Sequence, residues 1–373
     1  MLVMRNESPV RNDLHNINCI SPLKSGAAMP KIISINRWRP LYELARQIGE
    51  MAPWKALEEV DIFAVHDPES NQTGYVSIMG SLGKHKAVAA YIGNEGLWGF
   101  FTFQNASDRP QPTLMLSTPQ IQLSYEKRGD LEPEDLFIIH ELDFKPQRSN
   151  EWPMFRCYRP GFAPWFLDQD EISFFRVVLE QTLVVLGNQL QMEQIPDALA
   201  EDKILVRRGK SGKSDINWRS ETMPLFPPED KIYFVIDGKL EAAVRNLPVS
   251  RQRVYLDLQI LMNPIQEKKD ERPYFAYLLA FMDEQNGLML HFDSLTAKDG
   301  WRTFLSELPE HIVRGLYKLG SRPIQLLIRD PILIDMMTPL QEKFGLAIKS
   351  VTEMPAMDEF VEGFHNITRR MGK

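Results

Sequence analysis

The sequence predicts an α+β N-terminal domain followed by an α/β C-terminal domain with a mixed sheet. Three observations carry this. The chain has 373 residues, enough for about two domains at roughly 100–200 residues each, and 43% of it is hydrophobic, enough to give each a core. After about residue 229 a run of strand-like segments gives way to alternating helical and strand-like periods. Between the halves stand Pro224, Pro227 and Pro228, which break any regular element. The expected division is a disordered stretch or extension at 1–36, an α+β domain at 37–226 and a mixed-sheet α/β domain at 229–373.

In the first domain, Leu41, Leu44, Ala45, Ile48 and Met51 recur at helical spacing, and Pro53 ends the run. Residues 61–66 and 74–79 are rich in β-branched and aromatic residues and flank the turn-forming Asp67-Pro68-Glu69-Ser70-Asn71, which predicts a hairpin. Strand-like runs follow at 87–92, 113–117, 120–125 and 154–158, with an acidic helix near 132–140. Residues 170–192 carry Phe174, Val177, Val178, Leu179, Leu183, Val184, Leu186 and Leu190, an apolar surface wide enough for a helix buried on more than one side.

In the second domain, strands are expected at 231–236, 254–262, 274–282 and 288–292, with a turn at Asp283-Glu284-Gln285-Asn286-Gly287. The period then changes. Trp301, Phe304, Leu305, Leu308, Ile312, Leu316 and Leu319 predict a helix interrupted or kinked at Pro309 and stopped by Gly320. A strand at 324–328, a helix at 332–344, a strand at 346–351 and a helix at 356–364 complete the order. Several antiparallel strands followed by α-β-α-β-α is similar to the ribonuclease H and integrase-like topology, an analogy of fold alone.

The residues Ala52-Pro53-Trp54, Asp67-Pro68, Tyr75-Val76-Ser77-Ile78-Met79-Gly80 and Tyr91-Ile92-Gly93 resemble an uncharacterised bacterial two-domain family of unknown function. Arg322-Pro323, Arg329-Asp330-Pro331 and Pro355-Ala356-Met357-Asp358 resemble its paired C-terminal domain. The resemblance spans most of 37–365. It implies a two-domain soluble protein and brings no activity with it; some members carry a Cys-rich zinc-binding tail that this sequence does not show.

Composition narrows the function classes. With 43 Lys+Arg against 50 Asp+Glu, the net charge of −7 argues against a surface that coats nucleic acid or membrane, while leaving room for a local basic patch. The longest apolar run, 274–282, is far short of the ~20 residues of a membrane-spanning helix. Cys19 and Cys157 are too few for a disulfide framework or a thiolate zinc site, which fits a reducing cytoplasm. Between Arg5 and Met29 no apolar stretch of secretory type occurs.

The basic patch is at 203–219, where Lys203, Arg207, Arg208, Lys210, Lys213 and Arg219 face only Asp215 in charge. Gly209-Lys210-Ser211-Gly212-Lys213-Ser214 has the tail of a phosphate-binding loop, but position 207, where its first glycine belongs, is Arg. No helical period follows. The expectation is an exposed hairpin tip, with Arg207, Arg208, Lys210 and Lys213 as a patch for a weak anionic partner.

The sharpest catalytic hypothesis pairs Asp257 and Asp330. A two-metal phosphodiester-cleaving site draws carboxylates from a first strand, a later strand end and a helix. Val254, Leu256, Leu258 and Ile260 share one strand face, leaving Asp257 on the other with Tyr255 and Gln259. Asp330 ends an apolar strand, yet Asp330-Pro331 also reads as a helix cap followed by Pro at the first helical position. A third carboxylate is hard to supply, since Glu359 and Glu362 point away from the buried stripe of the last helix and Asp358 is marginal.

Other catalytic patterns fail on spacing. His140-Glu141 lacks a second His at 144, and Ser77 has two residues before each flanking glycine where a nucleophile elbow has one. Cys157 has no local His, and His66 and His85 would have to meet across a hairpin. Trp152, Tyr158 and Trp165, in an aromatic and Pro-rich segment, are candidates for ligand binding or for packing between domains. The leading expectation is therefore a cytoplasmic binding or scaffold protein with a degenerate ribonuclease H-like C-terminal domain and no evident cofactor. The alternative is a metal-dependent nuclease, which alone would need a divalent cation.

Overall fold

The computed structural model describes residues 33–371 apart from 84, 106–111, 147, 149–150, 212–215 and 226–233. It divides into two units. Up to Arg159, Pro164–Glu229 and Lys268–Glu271 form the first; Pro160–Ala163, Asp230–Glu267 and Arg272–Lys373 form the second. The N-terminal 1–28, the hairpin tip with Lys213 and the prolines Pro227 and Pro228 lie outside the described residues.

The first unit begins with α1 (Ile35–Met51), which ends where Ala52 turns left-handed before Pro53. It continues with β1 (Phe63–Asp67), β2 (Gln72–Met79), β3 (Ala87–Ile92), α2 (Gly93–Asn105), α3 (Pro112–Leu116), β4 (Gln120–Glu126), α4 (Pro133–Glu141) and β5 (Trp152–Tyr158). It closes with α5 (Gln169–Leu186), α6 (Gln189–Glu193), α7 (Ala198–Glu201), β6 (Lys203–Ser211) and β7 (Ile216–Pro224). The sheet order is β5-β4-β3-β2-β1-β6-β7, antiparallel except where β1 meets β6. Strand alternation sends Phe63, Val65, Val76, Ile78, Val88, Ile121, Leu123 and Phe155 into one core with α1 and α5. Ala64, Ala89, Tyr91 and Val206 go to the opposite face, under Leu97, Phe100 and Phe101 of α2. Asp168 starts α5 with a capping box, its carboxylate accepting from the Glu171 N–H while Glu171 returns a bond to the Asp168 N–H.

The strand expected at 113–117 is instead the short helix α3. Pro112 sets the helical φ of its first residue, and the Leu114 carbonyl accepts from the hydroxyls of Ser117 and Thr118 at 3.0 and 2.8 Å. The long helix expected at 170–192 breaks at Gly187 into α5 and α6.

The second unit contains α8 (Gly238–Arg245), β8 (Arg253–Ile265), β9 (Tyr274–Asp283), β10 (Met289–Thr296), α9 (Trp301–Lys318), β11 (Gln325–Ile328), α10 (Pro331–Phe344), β12 (Ala347–Ser350) and α11 (Pro355–Met371). Its sheet runs β10-β9-β8-β11-β12, so the strands lie in the order third, second, first, fourth, fifth. β9 is antiparallel to both neighbours, and β8, β11 and β12 are parallel. The strand expected at 231–236 does not form over 234–236, and 231–233 lie outside the described residues. α9 passes through Pro309 as one helix instead of being interrupted there.

A short piece of the aromatic segment joins this second unit. Phe162 bridges Tyr274, the Ala163 N–H donates to the Pro273 carbonyl at 2.8 Å, and the Phe275 N–H donates to the Gly161 carbonyl at 2.9 Å. Gly161 has φ 86°, and a Cβ there would lie 2.5 Å from the Ala297 Cβ, so the position requires glycine.

Candidate functional site

The register of β8 builds the site. Asp257 shares a face with Tyr255, and that face packs under Met354 and Met357 beside Leu278, Ala280, Met282 and Leu327. In the parallel neighbour β11, Ile328 stands opposite Leu256, which brings Arg329 level with Asp257. The guanidinium divides itself. Nη2 donates to Asp257 Oδ2 at 2.7 Å, and Nη1 donates to Asp358 Oδ1, on α11, at 2.8 Å. Asp257 is 1% exposed, Arg329 18% and Asp358 50%. The second oxygen of Asp257 accepts from the Leu258 N–H at 3.1 Å, and the Gln259 amide also donates to Oδ2. Burial disfavours charge on Arg329, but Asp257 and Asp358 together hold its guanidinium above the ordinary value.

Asp330 caps α10. Its Oδ1 accepts from the Ile332 and Leu333 N–H groups at 2.7 and 3.3 Å, as the Asp-Pro pair led one to expect. It is 5% exposed, and among the described residues no cationic side chain lies within ion-pair distance of it. Burial, and then the neighbouring Asp257 charge, push its carboxyl up to about 6 against the two backbone donors. The hydroxyl of Tyr277, fully buried in β9, has no hydrogen-bond partner; burial and then Asp330 push its phenol well up.

Asp330 thus feels the charge of Asp257, but neither opens to solvent. One is committed to Arg329 and the other to the head of α10. Among the described residues, no group of three His, Cys, Asp or Glu side chains could hold a metal ion.

The aromatic candidates do not form one platform. Trp152 and Tyr158 stand at opposite ends of β5, with the Arg128 guanidinium 4.8 Å from the Trp152 ring centre. Burial pushes the Tyr158 phenol up to about 12. Trp165 exchanges two backbone hydrogen bonds with Cys157, at 2.8 and 3.0 Å. A shallow depression in this unit is lined by Gly49, Tyr125, Phe144 and Pro153 and includes none of the three.

Most of the described cations of the basic hairpin are engaged within the fold. Arg207 is buried and donates to Gln181 Oε1 and Ser220 Oγ, and Arg208 pairs with Glu221 at 2.6 Å. Lys210 is exposed. Cys157 is buried, its thiol donating to Glu171 Oε1 at 2.7 Å beside Arg159. His66 meets Thr73 and His85 meets Gln122, and the hydroxyl of the buried Ser77 donates to the Glu59 carbonyl.

Sequence reading missed Arg329 as a partner of Asp257. Its detectable signal was limited to a cation directly before the capping Asp330, because the contact joins residues 72 apart through strand register.

The fold and site define a two-unit protein of helices and mixed sheets with a largely buried charge cluster in the second unit. Residues 38–207 match the family model described as a domain of unknown function (DUF7309), and residues 241–365 match that of another domain of unknown function (DUF6930). The two stand in tandem, which agrees with the two-domain family that the residue pattern resembled. No curated protein and no solved structure matches the chain. No described helix is long and apolar enough to cross a membrane.

Proposed function

We propose that this chain acts by binding or as a scaffold, and that its second unit is a noncatalytic, ribonuclease H-like domain. The strand order third-second-first-fourth-fifth, with the second strand antiparallel, supports the topological reading. A nuclease of this topology would gather carboxylates from the first strand, the end of the fourth strand and a helix around divalent metals. Asp257, Asp330 and Asp358 occupy those three kinds of position here. The observation that carries the noncatalytic reading is the Arg329 guanidinium, which lies between Asp257 and Asp358 and supplies the positive charge that a cation would bring. The scarcity of cysteine supports a cytoplasmic setting.

The test is cleavage of single- and double-stranded nucleic acid in Mg²⁺ or Mn²⁺ by the wild type and by Asp257→Asn. The expected outcome is the same background for both. Metal-dependent cleavage that disappears in the variant would overturn the reading.

A further inference from the structure

Asp330 is a buried acid at the head of α10. The charge of Arg329 goes to Asp257 and Asp358, while Asp330, 5% exposed and close enough to Asp257 to feel its charge, has no ion-pair partner among the described residues. Two negative charges in so dry a place repel strongly unless one takes a proton. The backbone pulls the other way. As the N-cap of α10, the Asp330 carboxylate satisfies the Ile332 and Leu333 N–H groups and faces the positive end of the helix, both of which favour the charged form. Cap and burial are therefore in direct opposition at one side chain.

We infer that Asp330 is a proton-responsive cap: when it takes up a proton, its hold on the first turn of α10 weakens. The groups facing it from each packed element are Asp257 on β8, Tyr277 on β9, and Arg329 at the end of β11, with Asp358 of α11 acting through Arg329. Tyr277 stays neutral across the range of interest, because its phenol is pushed up by burial. Arg329 keeps its charge throughout. Asp330 then moves between states as the pH passes from weakly acidic to neutral, consistent with a carboxyl raised by burial and by Asp257. The proton is taken from and returned to solvent.

The experiment is a carboxyl-carbon NMR titration of the full chain between pH 4 and 8, with the Ile332 and Leu333 amide protons followed in the same samples. The expected result is an Asp330 midpoint near pH 6, with both amides moving at the same midpoint as the charged acceptor is lost. In Asp257→Asn, which keeps the shape and removes the like charge, the Asp330 midpoint should fall toward the ordinary carboxylate range. In Asp330→Asn, which can still cap, the two amides should stop titrating. An Asp330 midpoint near 4, an unchanged midpoint in Asp257→Asn, or amides that do not follow the carboxyl would each overturn the inference. None of these readings depends on whether the domain cleaves or binds anything.

Discussion

Each unit sets an arginine against a buried aspartate, and the two pairs differ in closure. In the first unit Arg156 grips Asp135 with both terminal nitrogens, at 2.9 and 2.6 Å, one cation to one carboxylate under the Phe166 ring. In the second unit Arg329 spends one nitrogen on Asp257 and the other on the half-exposed Asp358, while Asp330 sits nearby with no cation of its own. A closed pair needs nothing further and acts as a structural tie. An open cluster leaves charge unresolved, and that residue of charge is what a proton can answer.

The contrast gives graded expectations. Arg156→Met takes the cation from Asp135, which keeps only a hydrogen bond from the Glu132 N–H among the described contacts, and should cost about 3–5 kcal/mol in urea unfolding, the penalty for breaking a buried pair from one side. Arg329→Met strands Asp257 similarly, but Arg329 is partly solvated and Gln259 and the Leu258 N–H remain on the carboxylate, so a loss of about 2–4 kcal/mol is expected. Equal losses for the two would erase the distinction drawn between them.

Asp330→Asn should change the pH dependence of stability. Because the folded carboxyl is raised to about 6, the folded state keeps a proton that the unfolded chain has already released. That contribution is fully present below about pH 4 and is lost as the pH rises through 6. Wild type should therefore weaken by up to about 3 kcal/mol across that window relative to Asp330→Asn, measured by unfolding at each pH. Parallel curves would remove the role assigned to this group. The smallest effect is expected at Asp358→Ala, about 0–1 kcal/mol, because half its side chain is in water.

Elements with a long, unambiguous period could be read from the sequence: β8 and β9 by composition and alternation, α5 and α9 by apolar spacing. α3 could not, since five residues are too few for a period of 2 to be told from 3.6. The eight-residue α8 carried only Asp237 as a cap and the Leu240 and Val244 spacing. The passage of residues 160–163 into the second unit was invisible because it depends on pairing with Tyr274, more than a hundred positions away. Asp257 and Asp330 were found because acids in apolar strands stand out; Arg329 was not, because an arginine beside a strand end has no distinctive pattern until the register of two distant strands is known.

In the proposed noncatalytic reading, the Arg329 guanidinium keeps metal out of the Asp257 cluster. Electron paramagnetic resonance of Mn²⁺ titrated into the wild-type protein tests it most directly, since free and bound ions give separable signals. The wild type should leave the free-ion signal undiminished, as should Asp257→Asn. One ion bound per chain in the wild type, and released in Asp257→Asn, would contradict it.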